Sequence, residues 1–275
     1  MRPARSQVET SSPWQEKNIR ALSNMSDPIL SISQVVVAFG ALRAVDGVDL
    51  SVDPGERRAV IGPNGAGKTT LFHAISGILL PEAGRVRFEG ADITRDAPHR
   101  RARRGIARTF QITNLFPTLS VEENLAIAVR GLSTRKFSFF GRSQLDAQEA
   151  PRIAQALEIC RLTDRRGSIV KELSYGEQRQ LELALALAHE PRLLLLDEPA
   201  AGLSPAERSL VAEIIRSLPR TLTLVLIEHD MDLALGLVDF DTCMHEGRVL
   251  VEQAPDAIRR NEAVQEVYLG RPRHA

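Results

Sequence analysis

The order of apolar and polar residues predicts strands in the first part of the chain and helices further on. Two segments, ILSISQVVVAFG (29–40) and AVDGVDLSVDPGE (44–56), alternate apolar with polar residues and carry turn signals, as antiparallel strands do. RRAVIG (57–62) predicts a short buried strand that leads into a glycine-rich loop and a helix. GRVRFEGADIT (84–94) predicts another strand pair, and 97–111 predicts a basic helix followed by a strand.

The periodicity then becomes helical. The segment 120–132 starts with Ser120 and has Glu123 three residues later, which is the pattern of a capping box at a helix start. Apolar residues also recur at helical spacing in 145–162 and 174–190. This part of the chain is therefore predicted to be a helical insertion.

Two strongly apolar strands, RLLLLD (192–197) and TLTLVLIE (221–228), follow the helical stretch. A predicted helix at 205–219 separates them, so the three elements form a βαβ unit with parallel strands. A strand pair (242–253) and a C-terminal helix near 261–270 complete the pattern. The predicted fold class is α/β.

These elements divide the chain into one main domain and two terminal segments. The predicted boundaries are 1–28 for an N-terminal extension, 29–255 for the main domain and 256–275 for a C-terminal helix and tail. Within the main domain, 29–111 and 179–255 form the core with its antiparallel β part, and 112–178 form the helical part. The polar extension lacks an apolar leader segment, so it is expected to be disordered, with Met25 as an alternative start.

Composition and charge exclude some classes of protein. Hydrophobic residues make up 43% and charged residues 25% of the chain, and the formal net charge is zero, which argues against nucleic acid as a partner. Cys160 and Cys243 lack metal-ligand spacing and are expected to be buried thiols in a reducing compartment. No apolar run approaches the roughly 18 residues of a membrane span, which predicts a soluble, cytoplasmic protein. The basic run HRRARR (99–104) is typical of a surface for nucleic acid or anionic lipid, but with a net charge of zero and a helical pattern a solvated helix face is expected.

Candidate chemistry begins in the loop GPNGAGKTT (62–70), between a predicted strand and a predicted helix. Four of its residues fit the phosphate-binding pattern G-x-x-x-x-G-K-[ST]. Glycines let backbone N–H groups point at an anion, and the helix start adds its dipole. Lys68 is expected to reach the β- and γ-phosphates, and the Thr69 hydroxyl is expected to ligate Mg²⁺. The predicted ATP contacts in this loop are Gly62, Asn64, Gly65, Ala66, Gly67, Lys68, Thr69 and Thr70.

A pair of carboxylates ends the apolar strand RLLLLD. Burying Asp197 and Glu198 side by side is costly without a cation or proton partner. Carboxyl ends of parallel strands share one sheet edge with the glycine-rich loop. Asp197 is therefore expected in the Mg²⁺ shell, and Glu198 is expected to orient or deprotonate the attacking water. His229, at the end of the next strand, and Gln111 are either site residues or ordinary polar residues on this reasoning alone.

The segment LSYGEQRQLELALALA (173–188) resembles the signature segment of ATP-binding cassette (ABC) proteins. The phosphate loop, Gln111, this segment, the carboxylate pair and His229 also follow in that family's order, and the resemblance covers nearly all of 29–253. It implies a P-loop NTPase fold with a RecA-like core, an antiparallel β subdomain and an α-helical subdomain insertion. It also implies a head-to-tail dimer in which Ser174, Gly176 and Gln178 of one subunit contact ATP held by the other. Ser174 with Glu177 also fits a simple capping box.

The resemblance assigns further roles. Phe39 matches the aromatic residue that stacks on adenine, with a core phenylalanine as the alternative. Gln111 matches the residue that senses Mg²⁺ and the transport partner, and His229 the residue that holds the γ-phosphate and water. The expected catalytic groups are thus Lys68, Glu198 and His229. Ser204 stands where many cassettes have Asp, which puts the cross-dimer contact at this position in doubt.

Three segments are similar to the branched-chain (hydrophobic) amino-acid importer group: GIARTFQITNLFPTLSVEENL, LLDEPAAGLSP and the terminal VQEVYLG. That resemblance implies an ATP-hydrolysing subunit, peripheral on the cytoplasmic face of the inner membrane. Its implied partners are integral membrane permeases, a second cassette subunit and a periplasmic or extracellular substrate-binding protein. Urea-importer and lipopolysaccharide-export cassettes remain alternatives. A nucleic-acid- or ribosome-associated cassette is disfavoured, because the chain has one cassette and no heptad run.

Overall fold

The structure, a computed structural model, describes residues 27–109, 115–131 and 149–269. Gln111 and most of the N-terminal extension lie outside these ranges, so what was predicted for them is not addressed by the structure. The strands are β1 (Leu30–Phe39), β2 (Leu42–Val52), β3 (Arg57–Ile61), β4 (Ala83–Phe88), β5 (Ala91–Asp92), β6 (Ile106–Arg108), β7 (Leu193–Asp197), β8 (Thr223–Ile227), β9 (Phe240–His245) and β10 (Arg248–Gln253).

The helices carry most of the remaining described residues. They are α1 (Lys68–Ser76), α2 (Pro98–Arg103), α3 (Val121–Gly131), α4 (Glu149–Ile159), α5 (Tyr175–Leu187), α6 (Pro205–Ser217), α7 (Met231–Leu235), α8 (Pro255–Arg260) and α9 (Glu262–Leu269). Within the described ranges, no helix is both long and apolar enough to cross a bilayer. The short helix α7 was not predicted, because five residues are too few for a periodicity to be recognised.

Two sheets organise the fold and confirm the α/β prediction. One is an antiparallel four-stranded sheet in the order β2-β1-β4-β5. The other has the order β10-β9-β3-β8-β7-β6, in which β3, β6, β7, β8 and β9 run parallel and β10 pairs antiparallel with β9. The predicted βαβ unit is confirmed, because β7 and β8 are parallel neighbours joined through α6.

The register of the large sheet aligns the strand ends that matter for function. Val60 of β3 and Asp197 of β7 both pair with Ile227 at the end of β8. Strands β3, β7 and β8 are buried along their whole length, as the mostly apolar sequences of β7 and β8 predict for a parallel sheet covered on both faces. The segments that follow these three strands therefore emerge at one edge.

The two faces of the large sheet belong to different apolar clusters. Val60 of β3 packs into the cluster that contains α1 and the antiparallel sheet, whereas Ala59 and Ile61 pack into the cluster formed by α3 to α6 and the C-terminal helices. This alternation follows from the two-residue period of a strand. The phosphate-loop helix thus lies between the two sheets.

The basic segment at α2 corrects one expectation. Arg101 is not part of a solvated face: its side chain is 1% exposed, and Nη1 donates to the carbonyls of Ala74 and Ile75 at 2.6 and 2.7 Å. Those carbonyls belong to the last turn of α1. The buried guanidinium gives them hydrogen-bond donors, and its positive charge interacts favourably with the negative end of the helix dipole. Arg100 and Arg103 are exposed, as predicted for a solvated face.

Candidate nucleotide site

The loop between β3 and α1 has a backbone that requires glycine. Gly62 has φ 141° and Gly67 has φ 99°, and an added Cβ would lie 2.2 Å from the carbonyl oxygen of Met244 and of Ala44, respectively. The N-cap residue of α1 is Gly67, and within the described residues no side chain caps this helix start. The first N–H groups of the helix are therefore available to an anion.

Lys68 begins α1 and is held inside the loop. Its side chain is buried, and Nζ donates to the carbonyl oxygens of Gly62 at 2.7 Å and Pro63 at 2.9 Å. Burial lowers the pKa of Lys68, while the nearby carboxylates of Glu198 and Asp197 act in the opposite direction. The ammonium is therefore within the electrostatic influence of both acidic residues, at the edge where β3 and β7 end.

Asp197 ends β7 with its carboxylate only half satisfied. Oδ2 accepts from Arg108 Nη2 at 2.7 Å, and both side chains are buried. Oδ1 is also buried and has no hydrogen-bond partner among the described residues. A buried carboxylate oxygen without a donor costs free energy, so it is well suited to ligate a cation.

Arg108 was not identified from the sequence as a site residue. It lies at the end of β6, which pairs with β7, and it also donates to Ser76 Oγ at 3.1 Å. Its guanidinium carbon is 5.9 Å from the centre of the Phe72 ring. The sequence did contain one signal for this contact. Arg108 ends a predicted strand and Asp197 ends another, and opposite charges at the ends of neighbouring strands can form an ion pair.

Glu198 and His229 are in direct contact. Oε1 of Glu198 is 2.5 Å from Nε2 of His229, and the histidine side chain is 45% exposed while that of the glutamate is 14% exposed. Glu198 has φ 48° and donates its backbone N–H to the carbonyl of Ile227 at 3.0 Å. This unusual backbone turns the carboxylate away from the strand and toward the histidine that follows β8.

A second acidic residue, Glu228, lies beside this pair and was not predicted to be part of the site. It is buried and accepts from the backbone N–H groups of Ala200 and His229, both at 3.2 Å. Burial raises the pKa of Glu228, and the neighbouring charge of Glu198 raises it further. Glu228 therefore holds together the two segments that carry Glu198 and His229.

The signature segment lies at the start of α5, in the helical layer. Ser174 Oγ accepts from the Glu177 N–H at 3.2 Å, and its own N–H donates to Glu177 Oε2 at 2.8 Å, which is the predicted capping box. Gly176 donates its N–H to Glu207 Oε1 at 3.2 Å. Gln178 Nε2 donates to the carbonyl of Leu173 at 3.2 Å. These hydrogen bonds hold the segment within its own subunit.

The other predicted contacts occupy different parts of the surface. Phe39 ends β1 and is 53% exposed, which rules out the core alternative; adenine stacking stays a prediction. Asn64 and Gly65 are exposed at the loop tip, and Ala66 is buried beneath it. Thr69 and Thr70 are half-buried in the first turn of α1. Ser204 caps α6 in a capping box with Glu207, so its hydroxyl has an internal partner.

Comparisons with known proteins agree with this geometry. The family profile described as "ABC transporter" matches residues 45–201. The high-affinity branched-chain amino acid transport ATP-binding protein BraF of Pseudomonas aeruginosa is 40% identical over 255 residues, covering 90% of this chain and 99% of BraF. The similarly named LivG of Escherichia coli K12 is 38% identical over 255 residues, with 90% and 99% coverage.

A solved structure matches at the level of the fold and the sequence. The ADP conformation of MJ1267, an ATP-binding cassette of an ABC transporter, superposes with a TM-score of 0.79 at 31% identity. The match covers 90% of this chain and all of that one, 100%. The predicted fold and the predicted relationship are confirmed.

Proposed function

The chain belongs to the ABC transporter family as an ATP-binding, ATP-hydrolysing cassette, and we propose that it energises the import of branched-chain or other hydrophobic amino acids. The observation that carries this proposal is the identity of about two in five residues, over nearly the whole chain, with cassettes named for that transport. The urea and lipopolysaccharide alternatives are not favoured by the names of these relatives. The site geometry supports the ATPase step as follows.

The phosphate loop is proposed to exchange internal partners for a triphosphate. Lys68 Nζ is held by two loop carbonyls, and such neutral acceptors are weaker partners for an ammonium than phosphate oxygens are. The uncapped N–H groups at the start of α1 add donors and a positive dipole end. Phe39, exposed at the end of β1, is proposed to stack on the adenine.

The residues at the strand ends fit a magnesium ion. Thr69 and Asp197 are the proposed ligands, since Asp197 Oδ1 is buried and unpartnered among the described residues; Gln111 is the third and lies outside them. Within the described ranges no three His, Cys, Asp or Glu side chains cluster as a metal site. Mg²⁺ commonly takes one or two protein ligands together with phosphates and waters, which agrees with so few protein ligands. When bound, it neutralises charge on the β- and γ-phosphate oxygens.

Glu198 and His229 are proposed to prepare the water for attack. The contact with His229 holds the Glu198 carboxylate at the edge where the loop and Asp197 also lie. From there the carboxylate orients the water and accepts its proton. His229 is half exposed, which supports the proposal that it contacts the γ-phosphate.

A second cassette subunit is proposed to complete the pocket. Ser174, Gly176 and Gln178 are held by partners within the helical layer, so they are proposed to contact ATP bound to a second subunit. Closure of that dimer is proposed to move permease subunits in the membrane, with a periplasmic or extracellular binding protein delivering the amino acid. The cassette is then peripheral on the cytoplasmic face through its permeases.

Uptake of radiolabelled leucine in cells that lack the chain tests the proposal. Uptake is expected to fall on deletion and to return with the wild-type chain but not with Glu198→Gln. Glu246→Gln is a matched control, because Glu246 also has φ 48° but lies in the exposed turn between β9 and β10. Unchanged leucine uptake on deletion, with ATP hydrolysis by the purified chain intact, would assign the cassette to another substrate.

A further inference from the structure

We infer that Tyr268, on the C-terminal helix, is a positioning residue of the nucleotide loop. Its hydroxyl oxygen accepts a hydrogen bond from the backbone N–H of Gly62 at 2.7 Å, across 206 residues of sequence. The inference deepens the proposed function, because it rests on the loop being the ATP site. It makes α9, which carries the first six residues of the terminal motif VQEVYLG, part of that site.

Gly62 is the point at which β3 leaves the sheet. The parallel ladder ends one residue earlier, where Ile61 pairs with Cys243 of β9. The N–H of Gly62 is directed to Tyr268, and the carbonyl of the same residue accepts from Lys68 Nζ at 2.7 Å. Gly62 is thus held on one side by the C-terminal helix and on the other by the lysine that is expected to bind phosphate.

The helix that carries Tyr268 is firmly attached to the core. Val264 of α9 is almost completely buried, as is Ile258 of the preceding helix α8, and both pack in the same cluster as Ile61. At the start of α9, Asn261 Oδ1 accepts from the N–H groups of the first turn, and its Nδ2 donates to Gln253 of β10 at 3.1 Å. The helix is therefore anchored at its beginning by β10 and at its end by the nucleotide loop.

The surroundings keep the Tyr268 hydroxyl neutral. Burial, with smaller contributions from the nearby Cys243 and Asp241, raises its pKa to about 12, although the hydrogen bond from Gly62 acts in the opposite direction. A neutral phenol can accept from Gly62 without placing a negative charge behind the phosphates. When Lys68 leaves the Gly62 carbonyl for a phosphate, the bond to Tyr268 remains and keeps the end of β3 in place.

Tyr268→Phe tests the inference, because it removes the hydroxyl and keeps the ring. The end of β3 then loses a hydrogen bond that fixes it before nucleotide binds, and we expect affinity for a fluorescent ATP analogue to fall about tenfold, because part of the binding free energy must then order the loop. The Michaelis constant for ATP is expected to rise while kcat stays within about twofold, because the contact is made equally before and during the reaction. Glu266→Ala, an exposed change on the same helix, is the matched control.

Hydrogen exchange at the Gly62 amide gives a readout that does not need nucleotide. In protein labelled with ¹⁵N-glycine, Tyr268→Phe is expected to speed exchange of the Gly62 amide by more than tenfold, with the melting temperature within a few degrees of wild type. Unchanged exchange and unchanged ATP affinity in folded Tyr268→Phe would overturn the inference. If exchange speeds up while the wild-type chain binds no ATP, the contact stands and the proposed function fails.

Discussion

The phosphate-loop edge and the signature segment are built in different ways. The loop edge is formed by the ends of β3, β7 and β8, whose register is set by a fully buried parallel sheet. The signature segment is the start of one helix, held by carboxylates from its own turn and from α6. The first region can hold its side chains in place without a second subunit, whereas the second presents backbone N–H groups whose proposed use lies across an interface.

The two regions share one property. Their polar groups have internal partners that resemble the ligands proposed for them. A guanidinium contacts one carboxylate oxygen of Asp197, beside the oxygen that is proposed to ligate a metal ion, and the Glu207 carboxylate contacts Gly176 where a phosphate of the second subunit is proposed. These internal partners reduce the free-energy cost of leaving the polar groups of the site without a ligand. ATP must displace such partners when it binds. The predictions below test that exchange in each region, beginning with the largest expected effect.

Removing the charge of Glu198 should separate binding from turnover at the loop edge. Glu198→Gln is expected to lower kcat at least a hundredfold, within the usual contribution of general-base catalysis, and to leave ATP affinity near wild type. Phosphate release and binding of a fluorescent nucleotide measure the two quantities. Glu246→Gln, at an exposed position with the same φ of 48°, should leave both unchanged. Normal turnover in Glu198→Gln would exclude this residue as the group that activates water.

Arg108→Met tests whether the guanidinium substitutes for a cation beside Asp197. Breaking a buried ion pair from one side leaves an uncompensated charge, at a cost of about 3 to 5 kcal/mol. The melting temperature of the nucleotide-free protein is therefore expected to fall by roughly 10 °C. Saturating Mg²⁺-ATP should recover part of that loss, and calorimetry with and without nucleotide measures it. The exposed pair of Arg104 and Asp96 offers the control Arg104→Met. An equal fall in melting temperature with and without Mg²⁺-ATP would show that the guanidinium does not take the place of a cation beside Asp197.

Much of the loop edge could be predicted from sequence because its signals are local. Continuous apolar runs predict β7 and β8, and the glycine pattern predicts the loop between β3 and α1. The contacts of Arg108, Arg101 and Tyr268 could not be predicted, because they join residues 89, 27 and 206 positions apart. Periodicity predicts which face of a helix or strand a residue lies on, but not which distant residue it contacts. The domain boundaries, and the roles assigned to individual site residues, stay predictions.

Asp241 links the stability of the loop edge to pH. It lies on β9, two residues before Cys243, and both of its carboxylate oxygens are buried and unpartnered among the described residues. Burial raises its pKa from 3.8 to about 7, with Arg58 acting in the opposite direction. Between about pH 4 and 7 the folded state then keeps a proton that the unfolded state has lost, so this residue lowers stability as pH rises through that window.

Asp241→Asn should remove this pH dependence. The variant is expected to be more stable than wild type at pH 8, by an amount on the order of a few kcal/mol, and to show little difference near pH 4. Urea unfolding at a series of pH values measures the effect. Asp239→Asn is a control, because Asp239 pairs with Arg220 near the surface at the start of the same strand. Parallel stability curves for wild type and Asp241→Asn would show that the carboxylate is ionised throughout.

The smallest expected effect concerns the signature segment. Glu207 accepts from Gly176 and also from the Ser204 hydroxyl and N–H, so one carboxylate joins the signature segment to the start of α6. If its charge occupies the place of a phosphate from the second subunit, Glu207→Gln should strengthen ATP-dependent dimerisation severalfold, because a Gln side chain can still complete the capping box. The measurement is the dimer dissociation constant by analytical ultracentrifugation, with ATP and in a Glu198→Gln background that prevents turnover.

The chain supplies a matched control for this effect. Glu123 forms the same kind of capping box with Ser120 at the start of α3. Glu123→Gln should therefore change helix stability as little as Glu207→Gln does and leave dimerisation unaltered. Weaker dimerisation in Glu207→Gln would mean that the carboxylate supports the signature segment in the closed dimer. In that case ATP would replace internal partners at the loop edge but not at the signature segment.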